Sequence, residues 1–305
     1  MAAIADCGGG KTFAEILDPL YDIHNPKFTA QMFRKNIADI MGKGGLFETA
    51  REVYPALGAE EKFSAKKFVF PSGATINFDH LDNEAKSVID DRFRGLQMPA
   101  IYVDECTQVK FSTIMKLITS NRNGHGIRNR IHCSCNPDSS SWLRQFIDWF
   151  VNPETGHIIK ERDGVIRYFF LAGENVEDVI FGNTREEVYQ KAKVQIDKSW
   201  NPAFEEEYGM SKLDLIKDMT FIEGDLLQNR KLMESDPTYL ANIAQGTDED
   251  RARNIEGNWN ISLIAGEEMV TRDILEKKMF DNAEQRTGRR RLSIDVAVQG
   301  KDNCI

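Results

Sequence analysis

The stretch Ala100-Ile101-Tyr102-Val103-Asp104-Glu105-Cys106 is an apolar run that stops on two adjacent acids. A short apolar run bounded in this way reads as a buried strand. An aspartate at the end of such a strand can hold Mg²⁺ through its water shell, because Mg²⁺ takes few carboxylates and many waters. A glutamate beside it can orient and deprotonate an attacking water. The competing reading is a solvated Asp-Glu pair that does nothing. The upstream run Gly8-Gly9-Gly10-Lys11-Thr12 favours chemistry. Glycines let the backbone curl so that several N–H groups converge on a phosphate. Lys11 would then reach the β- and γ-phosphates, and the Thr12 hydroxyl would sit on Mg²⁺. The two stretches together read as the halves of a nucleoside triphosphatase site.

The phosphate-loop template is G-x-x-x-x-G-K-[ST]. Counting back from Gly10 puts Ala5 where the first glycine belongs, so the match is incomplete and a plain glycine-rich turn stays open. Ala2 to Ala5 is expected to form a short strand. Phe13, Ile16, Leu17, Leu20 and Tyr21 follow at helical spacing, and Pro19 should end or kink that helix. A further strand is expected at Ile131 to Cys135, ending on Asn136-Pro137. Adjacent strands of an open α/β sheet deliver their carboxyl ends to one crevice. Asn136 could there bond the γ-phosphate or the lytic water; otherwise it merely closes a strand.

The ordered set of motifs resembles the large terminase subunit of tailed bacteriophages. It comprises Gly10-Lys11-Thr12, Met32-Phe33-Arg34-Lys35, Phe70 to Ile76, Arg94-Gly95, Asp104-Glu105 and Ser134-Cys135-Asn136-Pro137. It continues with Met219-Thr220-Phe221-Ile222, Arg251 to Trp259 and Ile294-Asp295-Val296-Ala297. The resemblance implies an ATP-driven motor that moves double-stranded DNA into a procapsid. Its cofactors would be ATP and Mg²⁺, with Gly8, Gly9, Gly10, Lys11 and Thr12 on the phosphates and Thr12 and Asp104 on the metal. Glu105 would be the general base, Asn136 would lie in a coupling motif, and Arg94 would be an arginine finger given to a neighbouring subunit. Arg92 and Arg94 can equally be a solvated face. The implied partners are DNA, a portal protein, a small terminase subunit and further copies in a ring on the portal, with no membrane. The implied place is the host cytoplasm, docked transiently on the procapsid. Two departures stand out. Cys7 occupies a loop position where many members carry arginine, and the chain starts almost on the loop, where members have a segment that contacts adenine.

The resemblance also implies the fold: an α/β P-loop NTPase with a parallel sheet and a small lid, then an RNase H-like nuclease. The expected divisions are 1–164 for the ATPase core, 165–263 for the lid, 264–290 for a linker and 291–305 for the start of the nuclease. Asp295 fits the first metal acid of that nuclease, which holds two divalent ions when complete. One strand and a turn cannot assemble such a site, so no DNA cleavage is expected from this sequence. Arg286, Arg289, Arg290 and Arg291 before it read either as a DNA-facing linker or as a solvated one.

The sequence of 305 residues is 41% hydrophobic and 29% charged, as in globular proteins. No apolar stretch nears the roughly 20 residues of a spanning helix. Five cysteines without a CxxC pair suit reduced thiols. Cys133 and Cys135 alternate onto one strand face, expected to be core. A net charge of −9 argues against a generic DNA coat but not against transient grip by local charges. Further strands are expected at 27–33, 68–70, 75–78, 166–171 and 219–222, and helices at 111–119, 185–196, 238–245 and 248–253. Trp142 to Phe150 reads as aromatic core packing. The rivals are another P-loop ATPase such as a helicase, a phosphotransferase, or an inactive prophage remnant acting only as an interaction protein. Glu105 counts against a phosphotransferase, which has no need of a water-activating base.

Overall fold

The computed structural model describes residues 2–5 and 10–224, and beyond them 229, 234, 238, 241, 245–247, 251–253 and 255–261. The chain divides into two units, 1–263 and 264–305, and all described residues belong to the first. Asp295, the basic cluster at 286–291, Gly8, Gly9 and Cys7 lie outside the described residues. So do most of the expected helices at 238–245 and 248–253.

The strands are β1 (Ala2–Ala5), β2 (Thr29–Arg34), β3 (Glu60–Lys62), β4 (Lys67–Val69), β5 (Thr75–His80), β6 (Ala100–Val103), β7 (Arg130–Cys135), β8 (Arg167–Leu171), β9 (Val179–Gly182) and β10 (Lys217–Glu223). The helices used below are α1 (Lys11–Leu17), α2 (Ile37–Met41), α3 (Leu46–Val53), α4 (Lys86–Phe93), α5 (Phe111–Ser120), α6 (Trp142–Phe146), α7 (Arg185–Lys191) and α8 (Lys193–Ser199). All ten strands join one sheet in the order β3-β4-β5-β2-β6-β7-β1-β10-β8-β9. The six from β5 to β10 in that order run parallel, and the flanks β3-β4 and β8-β9 run antiparallel.

Both faces of the parallel part are covered, which is why β6 reads as an unbroken apolar run rather than an alternating one. Ala100 and Tyr102 face a cluster with Ile16, Met32, Tyr54 and Phe68. Ile101 and Val103 face the opposite cluster with Ile114, Leu117, Phe146 and Trp259. Cys133 and Cys135 lie in that second cluster, as their alternation predicts, together with Cys106. Contacts with those two thiols, together with burial, push the Cys106 thiol well above its usual range. Phe146 packs edge-on against Phe169 and Phe181, so the aromatic stretch from Trp142 serves the core.

Pro19 has the expected effect. It lacks the N–H that would bond back one turn; α1 ends at Leu17, and a 3-10 turn spans Asp18–Tyr21. The Tyr54 hydroxyl donates to the Ile16 carbonyl at 2.9 Å and satisfies an acceptor at this terminus. Asp18 accepts from the Tyr102 hydroxyl and from Arg130 Nε at 3.0 Å, tying the turn to β6 and β7. Of the apolar residues at helical spacing, Ile16 is buried and Leu20 packs against its cluster, but the others face outward. Tyr21 is 81% exposed, and Phe13 and Leu17 are exposed too, whereas Glu15 and Ile16 are buried.

Residues 71–74 turn the β4–β5 hairpin. Phe70 N–H donates to Ala74 O at 2.9 Å, and Gly73 sits at φ +100°, a conformation that favours glycine. The single helix expected over 185–196 is two, α7 and α8, bent at Ala192. An unbroken helix rotates its i+4 positions by about 40° each time. The bend keeps Val188, Ala192 and Ile196 in one cluster with Ile216. The strand expected at 219–222 is longer, and it enters the central sheet beside β1. Among the described residues no helix is long and apolar enough to cross a membrane.

Candidate active site

Four neighbouring strands, β1, β7, β6 and β2, end side by side, because parallel pairing aligns Ala5 with Cys135, Cys133 with Val103, and Val103 with Phe33. The residue that follows or closes each strand therefore meets the others in one crevice. After β1 comes Gly10 at φ +85°, which a side chain rarely adopts, and α1 starts immediately with Lys11. The Lys11 ammonium donates to Asn136 Oδ1 at 2.6 Å, directly beyond the end of β7. Lys11 and Asn136 are thus together, as are Asp104 and Glu105 beyond β6.

Asp104 is buried. Its Oδ1 accepts from the Ser134 hydroxyl at 2.6 Å, and Arg34 Nε lies 3.7 Å from its Oδ2. Glu105 has φ +53°, left-handed backbone in a residue other than glycine. Such a conformation costs on the order of 1–3 kcal/mol and persists where the surroundings over-determine it. The surroundings here are specific. Arg34 Nη2 meets Glu105 Oε1 at 2.5 Å, and Gln108 Nε2 donates to Oε2 at 2.5 Å. The strained turn points the carboxylate across to the end of β2 instead of continuing along the strand.

Arg34, Ser134 and Gln108 were not singled out as site residues by sequence reasoning. Ser134 sits on a strand that otherwise alternates apolar residues to one face, and Arg34 is the first charge after a buried strand; both positions are visible in the sequence. That β2 lies next to β6 is not.

Glu15 was also missed. It is 2% exposed, and neither carboxyl oxygen has a hydrogen-bond partner. The Ser134 hydroxyl is close, but its proton goes to Asp104. Burial pushes the Glu15 carboxyl well above the usual carboxylate range, and the Asp104 charge adds to this. Ser134 and Lys11 pull the other way, but less. Glu15 lies one turn beyond Lys11 on the same side of α1. With Lys11 held over the end of β7, Glu15 must face the sheet, which displaces Phe13 and Leu17 to the outside.

A carboxyl raised in the fold stabilises it fully below the ordinary carboxylate range and loses that contribution as pH rises toward the raised value. Glu15→Gln removes this loss. The variant is expected to be more stable than the parent at neutral pH by about 1–3 kcal/mol, and the gap should close as pH falls into the carboxylate range. Urea titrations at both pH values measure it, and an equal gap at both would refute the assignment of a buried neutral acid.

Arg94 is not brought to this cluster. It follows α4 and precedes β6, so the whole of β6 separates it from Asp104 and Glu105. Its side chain is 76% exposed and pairs locally with Asp91 at 2.8 Å.

The donors available around Asp104 suit Mg²⁺ in kind. Its carboxylate is a hard oxygen ligand, and a single one leaves room for water and phosphate oxygens. The buried Arg34 Nε has no hydrogen-bond partner, so the crevice also holds a cationic donor with spare capacity.

A family model described as "Terminase large subunit, T4likevirus-type, N-terminal" matches residues 7–273. No curated protein matches the sequence. Among solved structures, the chain is similar to the large terminase of the thermophilic bacteriophage D6E in complex with ADP. Identity there is 12% and the TM-score 0.46, over 85% of this chain and 48% of that one. It is similar to the large terminase ATPase domain of Thermus phage P74-26 at 10% identity and TM-score 0.43, over 85% of this chain and 88% of that one. It is similar to the large terminase of bacteriophage HK97 at 14% identity and TM-score 0.38, over 68% and 45%. The chain thus spans about half the length of the D6E protein.

Proposed function

Because this chain belongs to the T4-type family of terminase large subunits, in its N-terminal part, we propose that it is the ATP-hydrolysing part of a DNA-packaging motor. The observation that carries the reading is the meeting of Lys11, Asn136, Asp104 and Glu105 at the ends of three adjacent strands. Each supplies what phosphoryl transfer to water requires, and no other described cluster combines a phosphate-binding lysine with a strand-end acid pair.

Lys11 gives up Asn136 and donates to the β- and γ-phosphates of ATP. Thr12 and Asp104 would hold Mg²⁺, and the Ser134 hydroxyl fixes the Asp104 carboxylate through its Oδ1. Bound Mg²⁺ supplies neutralisation of the charge that builds on the phosphate oxygens. Glu105 takes a proton from water as the water oxygen bonds the γ-phosphorus and the bond to the ADP oxygen breaks. In the arrangement described here both Glu105 oxygens are already engaged, so Arg34 or Gln108 has to let go before a water can be held. The released Asn136 amide then bonds the γ-phosphate.

Arg94 precedes β6, at the opposite end of that strand from its own site. As an arginine finger it acts on a neighbouring subunit, in a ring of copies on the portal protein in the host cytoplasm, with double-stranded DNA and a small terminase subunit as the remaining partners. The segment around Asp295 begins the nuclease of the same motor, which needs further acids and divalent ions to cut.

Calorimetry of Mg·ATP binding tests the site without ring, DNA or portal. The parent is expected to bind, and Lys11→Ala to weaken binding by about one to two orders of magnitude, the value of a charged hydrogen bond. Equal binding by both would remove Lys11 from the phosphate site.

A further inference from the structure

Glu84 lies outside every motif considered so far, in the connection from β5 to α4, yet its side chain is only 2% exposed. Its Oε1 receives the Lys35 ammonium. Its Oε2 accepts the Lys110 backbone N–H at 2.7 Å and the Thr113 hydroxyl at 2.6 Å. Lys35 directly follows Arg34, and the same connection is tied there a second time: Leu81 N–H donates to Arg34 O at 2.9 Å. Lys110 is the residue before α5 and closes the turn that begins at Glu105, where Gln108 N–H donates to Glu105 O at 3.0 Å.

Lysine is a poor helix cap, and no side chain of α5's own caps it. Glu84 supplies the acceptor from another element. A single buried carboxylate therefore ties the segment bearing Arg34 to the segment bearing Glu105. One oxygen is engaged by Lys35 and the other by Lys110 and Thr113. The Arg34–Glu105 contact at 2.5 Å and the left-handed Glu105 backbone both depend on where those two segments sit. Trp142 Nε1 donates to Val109 O at 2.7 Å and braces the same turn from the other flank, but it does not touch β2.

We propose that Glu84 is a positioning residue for ATP hydrolysis, a clamp that sets the Glu105 carboxylate against Arg34. The proposal rests on the reading of Glu105 as the base. The connection that carries Glu84 also starts α4, whose far end bears Arg94. The clamp is thus the one described point where the β5–α4 segment, the end of β2 and the Glu105 turn all meet.

The test uses the full chain, with Glu84→Ala, Glu84→Gln, Arg34→Ala and the Glu84→Ala/Arg34→Ala pair. Misplacing a reacting group by an ångström costs up to about a hundredfold in rate. Glu84→Ala is expected to lower kcat by about ten- to a hundredfold, with the Kd for Mg·ATP held within about twofold. Glu84→Gln keeps an acceptor oxygen for Lys110 or Thr113 and should recover part of the rate. If Glu84 acts through the pair, Glu84→Ala in the Arg34→Ala background should change kcat by less than about twofold. Additive losses, or a parallel loss of kcat and binding, would overturn the proposal. Should Glu84→Ala not fold, Lys35→Met cuts one arm of the clamp at a partly exposed residue; an unchanged kcat in it would equally overturn it. Amide exchange separates the clamp from the function reading. Faster exchange at 104–113 in Glu84→Gln, with the β1–β10 region unchanged, supports the clamp even if Glu105 proves not to be the base. Unchanged exchange at 104–113 refutes it.

Discussion

Glu105→Gln is expected to lower the rate of ATP hydrolysis by about 10²- to 10⁴-fold, the range lost with a positioned general base, while Mg·ATP still binds. The substitution is nearly isosteric, and it keeps the left-handed backbone as strained as before, so the turn should hold. The amide oxygen can still accept from Arg34, and the new amide N–H can donate to Gln108 Oε1 once the Gln108 amide flips, so both local hydrogen bonds can be made. What disappears is the capacity to accept a proton. Lys11 at the start of α1 and Asn136 beyond β7, the residues proposed to meet the phosphates, bond each other. Binding and turnover should therefore separate cleanly, as Kd unchanged against kcat reduced. Single-turnover hydrolysis with calorimetry on the same preparations reads both. A variant that turns over within threefold of the parent would mean that another group activates the water, and Asp104 would be the first to consider.

Trp259→Ala is expected to destabilise the fold by about 3–5 kcal/mol, the usual loss for a large buried aromatic. Trp259 is 1% exposed and packs edge-on against Phe221 of β10, with ring centroids 5.8 Å apart. Its backbone N–H donates to Gly156 O at 2.8 Å, and Asn260 Nδ2 donates to Pro153 O at 3.0 Å. The segment from 255 to 261 is thereby stitched to the 152–157 loop and held over the second core. Gly156 is part of the same fit: a Cβ there would lie 2.0 Å from Asn258 Oδ1. Removing the indole leaves a cavity between β10 and that loop, and β10 is the strand that pairs with β1. Urea unfolding should show a lower midpoint with an unchanged slope, and Trp259→Phe should recover part of the loss. A cost below about 1 kcal/mol would show that the region relaxes around the gap.

Much of the site was legible because its parts are local. Asp104 and Glu105 are recognisable as the end of a buried strand, and Gly10-Lys11-Thr12 as a loop entering a helix, since apolar runs and glycines act on their immediate neighbours. Asn136 was legible in the same way, as the polar residue that stops an apolar strand. Arg34 was quoted within a motif without a role, and Glu84 not at all, because their partners are 71 and 26 positions away in sequence. Glu15 was not singled out, because nothing local marks a charged residue in a short amphipathic helix as inward-facing; the fixed direction of Lys11 turns it in.

By itself, then, the sequence of this protein determined where β1, β6 and β7 end, which residues are chemically fit to hold phosphate, metal and water, and where Pro19 stops the first helix. Those outcomes depend on φ and ψ preferences and on side-chain periods of two and about four residues, which act over a single turn or strand. The tertiary structure alone decided the order of the strands. It placed β7 between β1 and β6 so that Asn136 reaches Lys11, set β2 beside β6 so that Arg34 meets Glu105, and brought β10 into the sheet beside β1. It also left Arg94 at the far end of β6. Backbone hydrogen bonds between strands are alike for every pair, so a strand's own residues do not name its neighbour. That choice comes from the packing of two cores on opposite faces of one sheet, a property of the whole chain.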